Sequence, residues 1–551
     1  MVFFAALLLS LFITLSLVPL FRRLAIRLRL FDVPNERKVH AQPIPRTGGV
    51  AMAAGVLAPV LLWMPPSPLL APLMVASSLV VAFGFLDDLK ELGSGAKFGA
   101  QVAAALIVIL WGGVQIRTLG GLLPDGTILP PWVAIPLTLV AIVGVTNAFN
   151  LADGLDGLAG GISLLTFMGL TYLGFQSGHL EVALVAACMC GAIFGFLRFN
   201  THPASIFMGD AGSQLLGFLA IVLSLVVSQE APYSPLLPLL LLGFPVFDTV
   251  RVMSERMRRG QPPFRADRNH FHHKLLAMGF YHAEAVAIIY LIQAPLTLAA
   301  CLLRFYDDGV LLSGFLGFSG GALLLLRGAT QGQDRFPWRQ HLEQPLRALQ
   351  QRYRSSLLPI RCSFAALKII MLSLGLLLTL LPNNTPVWVG WFVLGMGVFT
   401  LTGLLTPNAV NNWLLRCGVY LTIPFLVYFG QIQEPDLSTR AIMGTLMRVG
   451  DLAYLALGLA VPLVVKLTRR KGYKSTPLDL LILLFIVVVP LWSGPDREKA
   501  LLIIVAAKIV ALFFGFEVLL VELRRRFKVM QLICGLLLVT GGGHLLLQTI
   551  F

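Results

Sequence analysis

Apolar runs of about 17–25 residues, long enough to cross hydrocarbon as helices, follow one another along nearly the whole chain. They fall near 2–20, 47–64, 69–87, 98–114, 131–149, 158–175, 181–198, 212–229, 235–250, 283–303 and 309–327, then near 363–382, 387–405, 413–430, 451–467, 477–493, 499–521 and 530–549. The 551 residues are 57% hydrophobic and 13% charged, against about 25% charged in soluble domains. The expected fold is therefore an all-α, polytopic membrane protein. Residues 1–330 would hold about 11 transmembrane helices and residues 362–551 about 7. A polar cytoplasmic linker at 331–361 separates them, where Leu342, Leu346 and Leu349 among Gln, Arg and Glu suggest an amphipathic surface helix.

Charge orients the chain. With the N-terminus outside, Arg22, Arg23, Arg27, Arg29, Arg37, Lys38 and Arg46 lie in one inside loop, and Arg251, Arg256, Arg258, Arg259, Arg265, Arg268 and Lys274 in another. Outside loops of the first part offer only Arg117 and Arg304. The first apolar stretch lacks a basic leader and a small-residue cleavage site, so it reads as an uncleaved span. The net charge of +15 suits anionic lipid and an anionic substrate, and not nucleic acid, because the basic residues sit in short loops. The six cysteines lie in or beside apolar runs and suggest no disulfide framework.

Five carboxylates stand at the ends of apolar segments, and this topology puts all of them on the inner side. Asp87-Asp88 closes the run Leu79–Leu86; such a pair can bind Mg²⁺ or supply a base, or it can be a helix end meeting water beside Lys90 and Lys97. Asn147, Asn150, Asp153 and Asp156 recur every three residues among Gly154, Gly157, Gly160 and Gly161. That spacing gathers polar groups on one helix face, and broken backbone at membrane depth is tolerated only around a protected cavity. Asp210 stands between small residues in Phe207-Met-Gly-Asp210-Ala-Gly-Ser213, as a hard-cation ligand or a helix cap. His270-Phe-His272-His273 could ligate zinc, but Arg265, Arg268 and Lys274 favour a phosphate clamp.

Five ordered motifs carry a resemblance over residues ~1–330. They are D-x-P-x-x-R-K-x-H-x-x-P-x-P-R-x-G-G from Asp32, the Asp87-Asp88 pair with Lys97 and Gln101, N-x-x-x-D-G-x-D-G-L-A-x-G, F-N-x-x-P-A-x-I-F-M-G-D-x-G-S from Phe199, and D-R-N-H-x-H-H. Together they resemble the polyprenyl-phosphate N-acetylhexosamine-1-phosphate transferase superfamily (glycosyltransferase family 4), and H-x-H-H is closer to its GlcNAc-1-phosphate branch than to the phospho-MurNAc-pentapeptide translocase. The resemblance implies a Mg²⁺-dependent transferase, with Mn²⁺ as substitute, in the bacterial inner membrane with its active site facing the cytoplasm. Its substrates would be a UDP-N-acetylhexosamine and undecaprenyl phosphate, its product a starter for a lipid-linked surface glycan, its partners membrane lipids, a second copy or glycan-assembly proteins.

The resemblance also implies roles. Asp210 would bind Mg²⁺. Asp87 and Asp88, held by Lys97, would orient or deprotonate the lipid phosphate. Asn150 and Asp153 would line the nucleotide-sugar site, Asp156 would hydrogen-bond uracil, and Phe207 would stack on it with Asn200 nearby. His270, His272, His273 and Arg268 would contact phosphates or sugar. An ion-coupled transporter is the rival class, but it expects acids on both halves of the bilayer and repeated halves. The ~220 residues beyond the resemblance have no acidic cluster; Lys508 and Glu517 would stand about 13.5 Å apart on one helix and need other partners.

Overall fold

The computed structural model describes residues 2–550 apart from 33–42, 91, 125–126, 231, 263–268, 332–356, 381–384, 407, 433–439, 468–496 and 524–526. The chain divides into two compact units, Met1–Arg335 and a second made of Phe336–Ser475 and Ile482–Phe551. Both are helical, and 11 helices among the described residues are long and apolar enough to cross a membrane. The chain is a multi-pass membrane protein.

The first unit runs α1 (Val2–Leu28), β1 (Phe31–Asp32), β2 (Ile44–Pro45), α2 (Gly48–Trp63), α3 (Leu70–Lys90), α4 (Ser94–Leu106), α5 (Pro131–Ala152), α6 (Leu158–Ser177) and α7 (Leu180–Asn200). It continues with α8 (Gly209–Glu230), α9 (Leu237–Leu241), α10 (Gly243–Arg258), α11 (Phe271–Ala277), α12 (His282–Leu302) and α13 (Asp308–Gln331). The helix α8 is the axis of the bundle: its span is buried along its whole length, packed by α2, α3, α5 and α6. Small residues make that approach feasible, as lipid gives helices no hydrophobic reason to associate. A Cβ on Gly84 of α3 would strike the Ala211 backbone at 2.6 Å. Some hydroxyls in the bundle return to their own helix, as Thr146 Oγ1 does to the Ile142 carbonyl at 2.7 Å, while Ser10 and Thr166 reach the carbonyls of Cys188 and Leu241 on other helices.

The expected span at 235–250 is instead two helices. The break falls at Leu242–Gly243, where the short α9 stops and α10 starts with Pro245 in its first turn, a position that tolerates a missing N–H. The second piece carries Asp248, Arg251 and Arg256, all buried, which an apolar-run reading places at a span's end.

The second unit contains α14 (Leu357–Leu380), α15 (Val387–Thr402), α16 (Asn408–Ile432), α17 (Arg440–Leu467), α18 (Arg497–Glu522) and α19 (Phe527–Ile550). The expected span at 477–493 and nearly all of the 331–361 linker lie outside the described residues. Lys508 and Glu517 of α18 each find a partner on another helix. Lys508 Nζ lies 2.6 Å from Asp451 and 2.5 Å from Gln431 Oε1, while Arg416 Nε lies 2.9 Å from Glu517, which also accepts from Tyr420.

Candidate active site

The N-terminus of α8 gathers most of the acids. Gly209 adopts φ +69, a left-handed conformation that suits glycine, and a Cβ there would collide with the Asp88 carboxylate. The bare backbone lets Asp88 close on the helix end: the N–H groups of Asp210 and Ala211 donate to its two oxygens at 3.1 and 3.3 Å. A carboxylate on the first amides of a helix meets both unsatisfied donors and the positive end of the dipole. Asp88 is thus a cap supplied by α3, and not the partner of Lys97 that the sequence suggested.

Lys97, from α4, joins Asp87 instead to Asp210. Its Nζ pairs with Asp87 Oδ2 and stands 3.1 Å from Asp210 Oδ2. The other Asp87 oxygen accepts the Leu92 N–H at 2.7 Å, fixing the end of α3. Behind Asp210 a ladder of amides runs into the bundle. Gln214 Nε2 donates to Asp210 Oδ2 at 3.4 Å, Gln101 to Gln214 at 3.2 Å, and Asn147 to Gln101 at 2.7 Å. Such groups in hydrocarbon are costly unless mutually satisfied. Asn150 joins from the same face of α5, accepting the Ser213 hydroxyl at 2.8 Å.

Beyond α5 the chain turns sharply through Asp153–Gly157. Asn200 braces this turn: its Oδ1 accepts the Gly157 N–H at 2.9 Å and its Nδ2 donates to the Ile206 carbonyl at 3.0 Å. Tyr290 of α12 donates to the Gly157 carbonyl at 2.7 Å. Asn200 therefore holds the loop that presents Phe207 and is itself spent on backbone. Phe207, half-buried, lies alongside Arg46; its N–H donates to Pro45 O at 2.8 Å and its carbonyl accepts from Gly48 at 2.9 Å. Asp156 accepts the Ala204 N–H at 3.0 Å and stands 2.7 Å from His202 Nδ1. Burial alone would raise its pKa, but those two partners hold it below the usual carboxylate range.

Asp153 is different. Its carboxylate has no hydrogen-bond partner among the described residues, and burial, with Asp210 and then Asp156 nearby, pushes its pKa up to about 7. Among the described residues, the charge of Arg46 offsets this in part.

The histidine segment reaches the same turn. The ring of His272 fills the space over Gly154 that any Cβ would occupy. Burial, followed by the charge of His273, pushes His272 down to about 3, so it is neutral, and its Nε2 is buried without a hydrogen-bond partner among the described residues. The segment is anchored by a residue that sequence reading missed. Asp248 of α10 stands 2.9 Å from His270 Nδ1, accepts the Phe271 N–H at 2.9 Å and pairs with Arg251 at 2.7 Å. An acid inside Phe244-Pro-Val-Phe-Asp248, three residues before Arg251, was the available signal. Of the three histidines expected to contact phosphates or sugar, His270 is held by Asp248 and His272 is an uncharged wall over Gly154. His273 is half-buried against it with ring centroids 4.3 Å apart. Arg268 lies outside the described residues.

Residues 70–228, which carry α3 to α8, match the family model described as glycosyl transferase family 4. The chain is 35% identical over 302 residues to a probable undecaprenyl-phosphate N-acetylglucosaminyl 1-phosphate transferase of Bacillus subtilis (strain 168), covering 54% of this chain and 84% of that protein. It is 33% identical over 305 residues to an undecaprenyl-phosphate alpha-N-acetylglucosaminyl 1-phosphate transferase of Yersinia pestis (54% and 83%). It is 36% identical over 322 residues to a decaprenyl-phosphate N-acetylglucosaminephosphotransferase of Mycolicibacterium smegmatis (52% and 79%). The chain belongs to glycosyl transferase family 4.

For a family 4 member the donor set at α8 can be tested against a metal ion. Mg²⁺ takes one or two carboxylates and completes its shell with water and phosphate oxygens. Asp87, Asp88, Asp153 and Asp210 bring four carboxylates to this mouth, and among the described residues Lys97 and Arg46 are the cations that reach them. Hard oxygen donors in excess over cations, with Asp153 unpartnered, fit a divalent cation bound with a phosphorylated substrate.

Proposed function

We propose that this chain transfers N-acetylglucosamine 1-phosphate from UDP-GlcNAc to undecaprenyl phosphate, releasing UMP. An oxygen of the lipid phosphate forms a bond to the β-phosphorus while the bond from that phosphorus to the bridging oxygen breaks, and UMP departs with the oxygen. One pyrophosphate linkage replaces another, so catalysis is positioning and charge neutralisation. The reaction takes place on the cytoplasmic face of a bacterial inner membrane and starts a lipid-linked surface glycan.

The observation that carries this reading is the Asp87–Lys97–Asp210 bridge at the capped end of α8. Lys97 is poised to exchange one carboxylate for a substrate phosphate, which costs little because one anion replaces another. Asp87 positions the incoming lipid phosphate beside it; a phosphate monoester is already largely ionised at neutral pH, so no strong base is needed. Asp210 would hold Mg²⁺, or Mn²⁺ in its place, and the ion would neutralise the diphosphate of the donor. Asn150 and Asp153 line the sugar-nucleotide site, His272 walls it over Gly154, and Phe207 and Asp156 face the nucleoside.

Offering UDP-GlcNAc and UDP-MurNAc-pentapeptide separately to the purified chain with undecaprenyl phosphate tests the assignment. UMP release with the first alone is expected. Release with the pentapeptide donor alone would make the chain a translocase. Vesicle flux of substrate without UMP from either donor would replace the enzyme with a transporter.

A further inference from the structure

Two histidines that sequence spacing does not link meet at Asp156. His202 lies in the loop after α7 and His282 opens α12. Their rings stack with centroids 4.2 Å apart and planes 20° apart. His202 Nδ1 is 2.7 Å from Asp156 Oδ2, and His282 Nε2 is 3.4 Å from the Asp156 carbonyl oxygen. One ligand atom from each of the three residues lies within 4.8 Å of the other two.

The chemistry of this trio differs from that at α8. Two imidazole nitrogens and one carboxylate are donors for zinc and its first-row neighbours, whereas Mg²⁺ prefers an all-oxygen shell. With Nε2–H of His282 directed at the Asp156 carbonyl, its Nδ1 is an unprotonated lone pair, and that atom is buried with no hydrogen-bond partner among the described residues. The His202 side chain is 47% exposed, so an ion can enter from solvent and replace the direct His202–Asp156 contact with a ligand bond to each.

We infer that Asp156, His202 and His282 form a binding site for a borderline divalent transition-metal ion of the Zn²⁺ type, separate from the hard-oxygen donors around Asp210. Three protein ligands leave a fourth position for water, the pattern of an open zinc site. Occupancy ties the Asp153–Gly157 turn to α12 and takes up the Asp156 carboxylate. If Asp156 faces the nucleoside, the ion competes with the UDP-sugar; that consequence rests on the function proposed above, whereas ion binding does not.

The test uses the full-length chain in detergent with excess Mg²⁺ and Co²⁺ as the probe, read by visible ligand-field absorption and by metal content after desalting. One tight equivalent of Co²⁺ is expected. His202→Ala and His282→Gln should each weaken it by about 100-fold or more, since even outer-shell losses cost 10–100-fold, while His273→Ala leaves it unchanged. Equal Co²⁺ binding by the parent chain and His202→Ala, or a loss specific to His273→Ala, would overturn the site. Separately, Zn²⁺ should raise the KM for UDP-GlcNAc in the parent and not in His202→Ala. A parent that binds Co²⁺ but, assayed with Mg²⁺ in the absence of Co²⁺ and Zn²⁺, releases no UMP would refute the transferase reading and leave the metal site standing.

Discussion

The two units bury charge in opposite ways. In the second, the two charged groups within the apolar stretch of α18 each meet a counter-ion on a neighbouring helix, Lys508 with Asp451 and Glu517 with Arg416. In the first, the mouth of α8 holds four carboxylates around Lys97 and Arg46, and one of them, that of Asp153, has no hydrogen-bond partner among the described residues. A matched pair in hydrocarbon needs nothing further and supports the packing of helices. An unmatched cluster raises the energy of the resting protein and is relieved by a ligand that brings positive charge. The difference separates architecture from chemistry within a single chain.

The largest expected effect comes from the unmatched side. Asp210→Asn should lower UMP release by on the order of 10³-fold or more while the chain stays monodisperse in detergent. Turnover within a few-fold of the parent would mean that the acids at α8 are structural. Next is Asp248→Ala, which leaves Arg251 and His270 without their shared carboxylate. Loss of such a supporting contact should reduce kcat by about 10–100-fold, and Asp248→Asn should recover part of it. No change in kcat would detach the histidine segment from the reaction.

On the matched side the expectation reverses. Glu517→Gln strands the Arg416 guanidinium, at a cost of about 2 kcal/mol, less than for a fully buried pair because both groups are partly exposed. The melting temperature should fall by several degrees while UMP release per folded molecule holds. A large loss of turnover would give the second unit a share in catalysis.

The smallest effect concerns pH. Asp153 is held up at about 7, above its value in an unfolded chain, so the folded protein binds this proton more tightly. Its contribution to stability is fully present below pH ~4 and is lost as pH rises through about 7. Asp153→Asn should therefore lose less melting temperature between pH 5 and pH 8 than the parent in metal-free buffer. Parallel curves would show that Asp153 sits in ordinary, wet surroundings.

Much of this was legible in the sequence, for a local reason. Membrane helices announce themselves as runs, and Asn147, Asn150, Asp153 and Asp156 lie at a spacing that a helix and one turn convert directly into a shared mouth. What was not legible depends on pairing across distance. The resemblance gives Lys97 to both members of the Asp87-Asp88 pair, but Asp88 is drawn away by the amides of α8. Asp248 was hidden because hydropathy continues through the Leu242–Gly243 break. The meeting of His202 with His282 has no signature, since both loops are placed only by the packing of α6, α7 and α12.

Tracing the β-phosphorus of the donor tests the transfer most directly. With UDP-GlcNAc labelled at that atom, undecaprenyl phosphate and Mg²⁺, the label should pass into the lipid fraction as unlabelled UMP appears in water. Label recovered in water as UDP, with sugar on the lipid, would mean that the sugar–phosphate bond is the one broken, and the phosphoryl chemistry assigned to Asp87, Lys97 and Asp210 would be wrong.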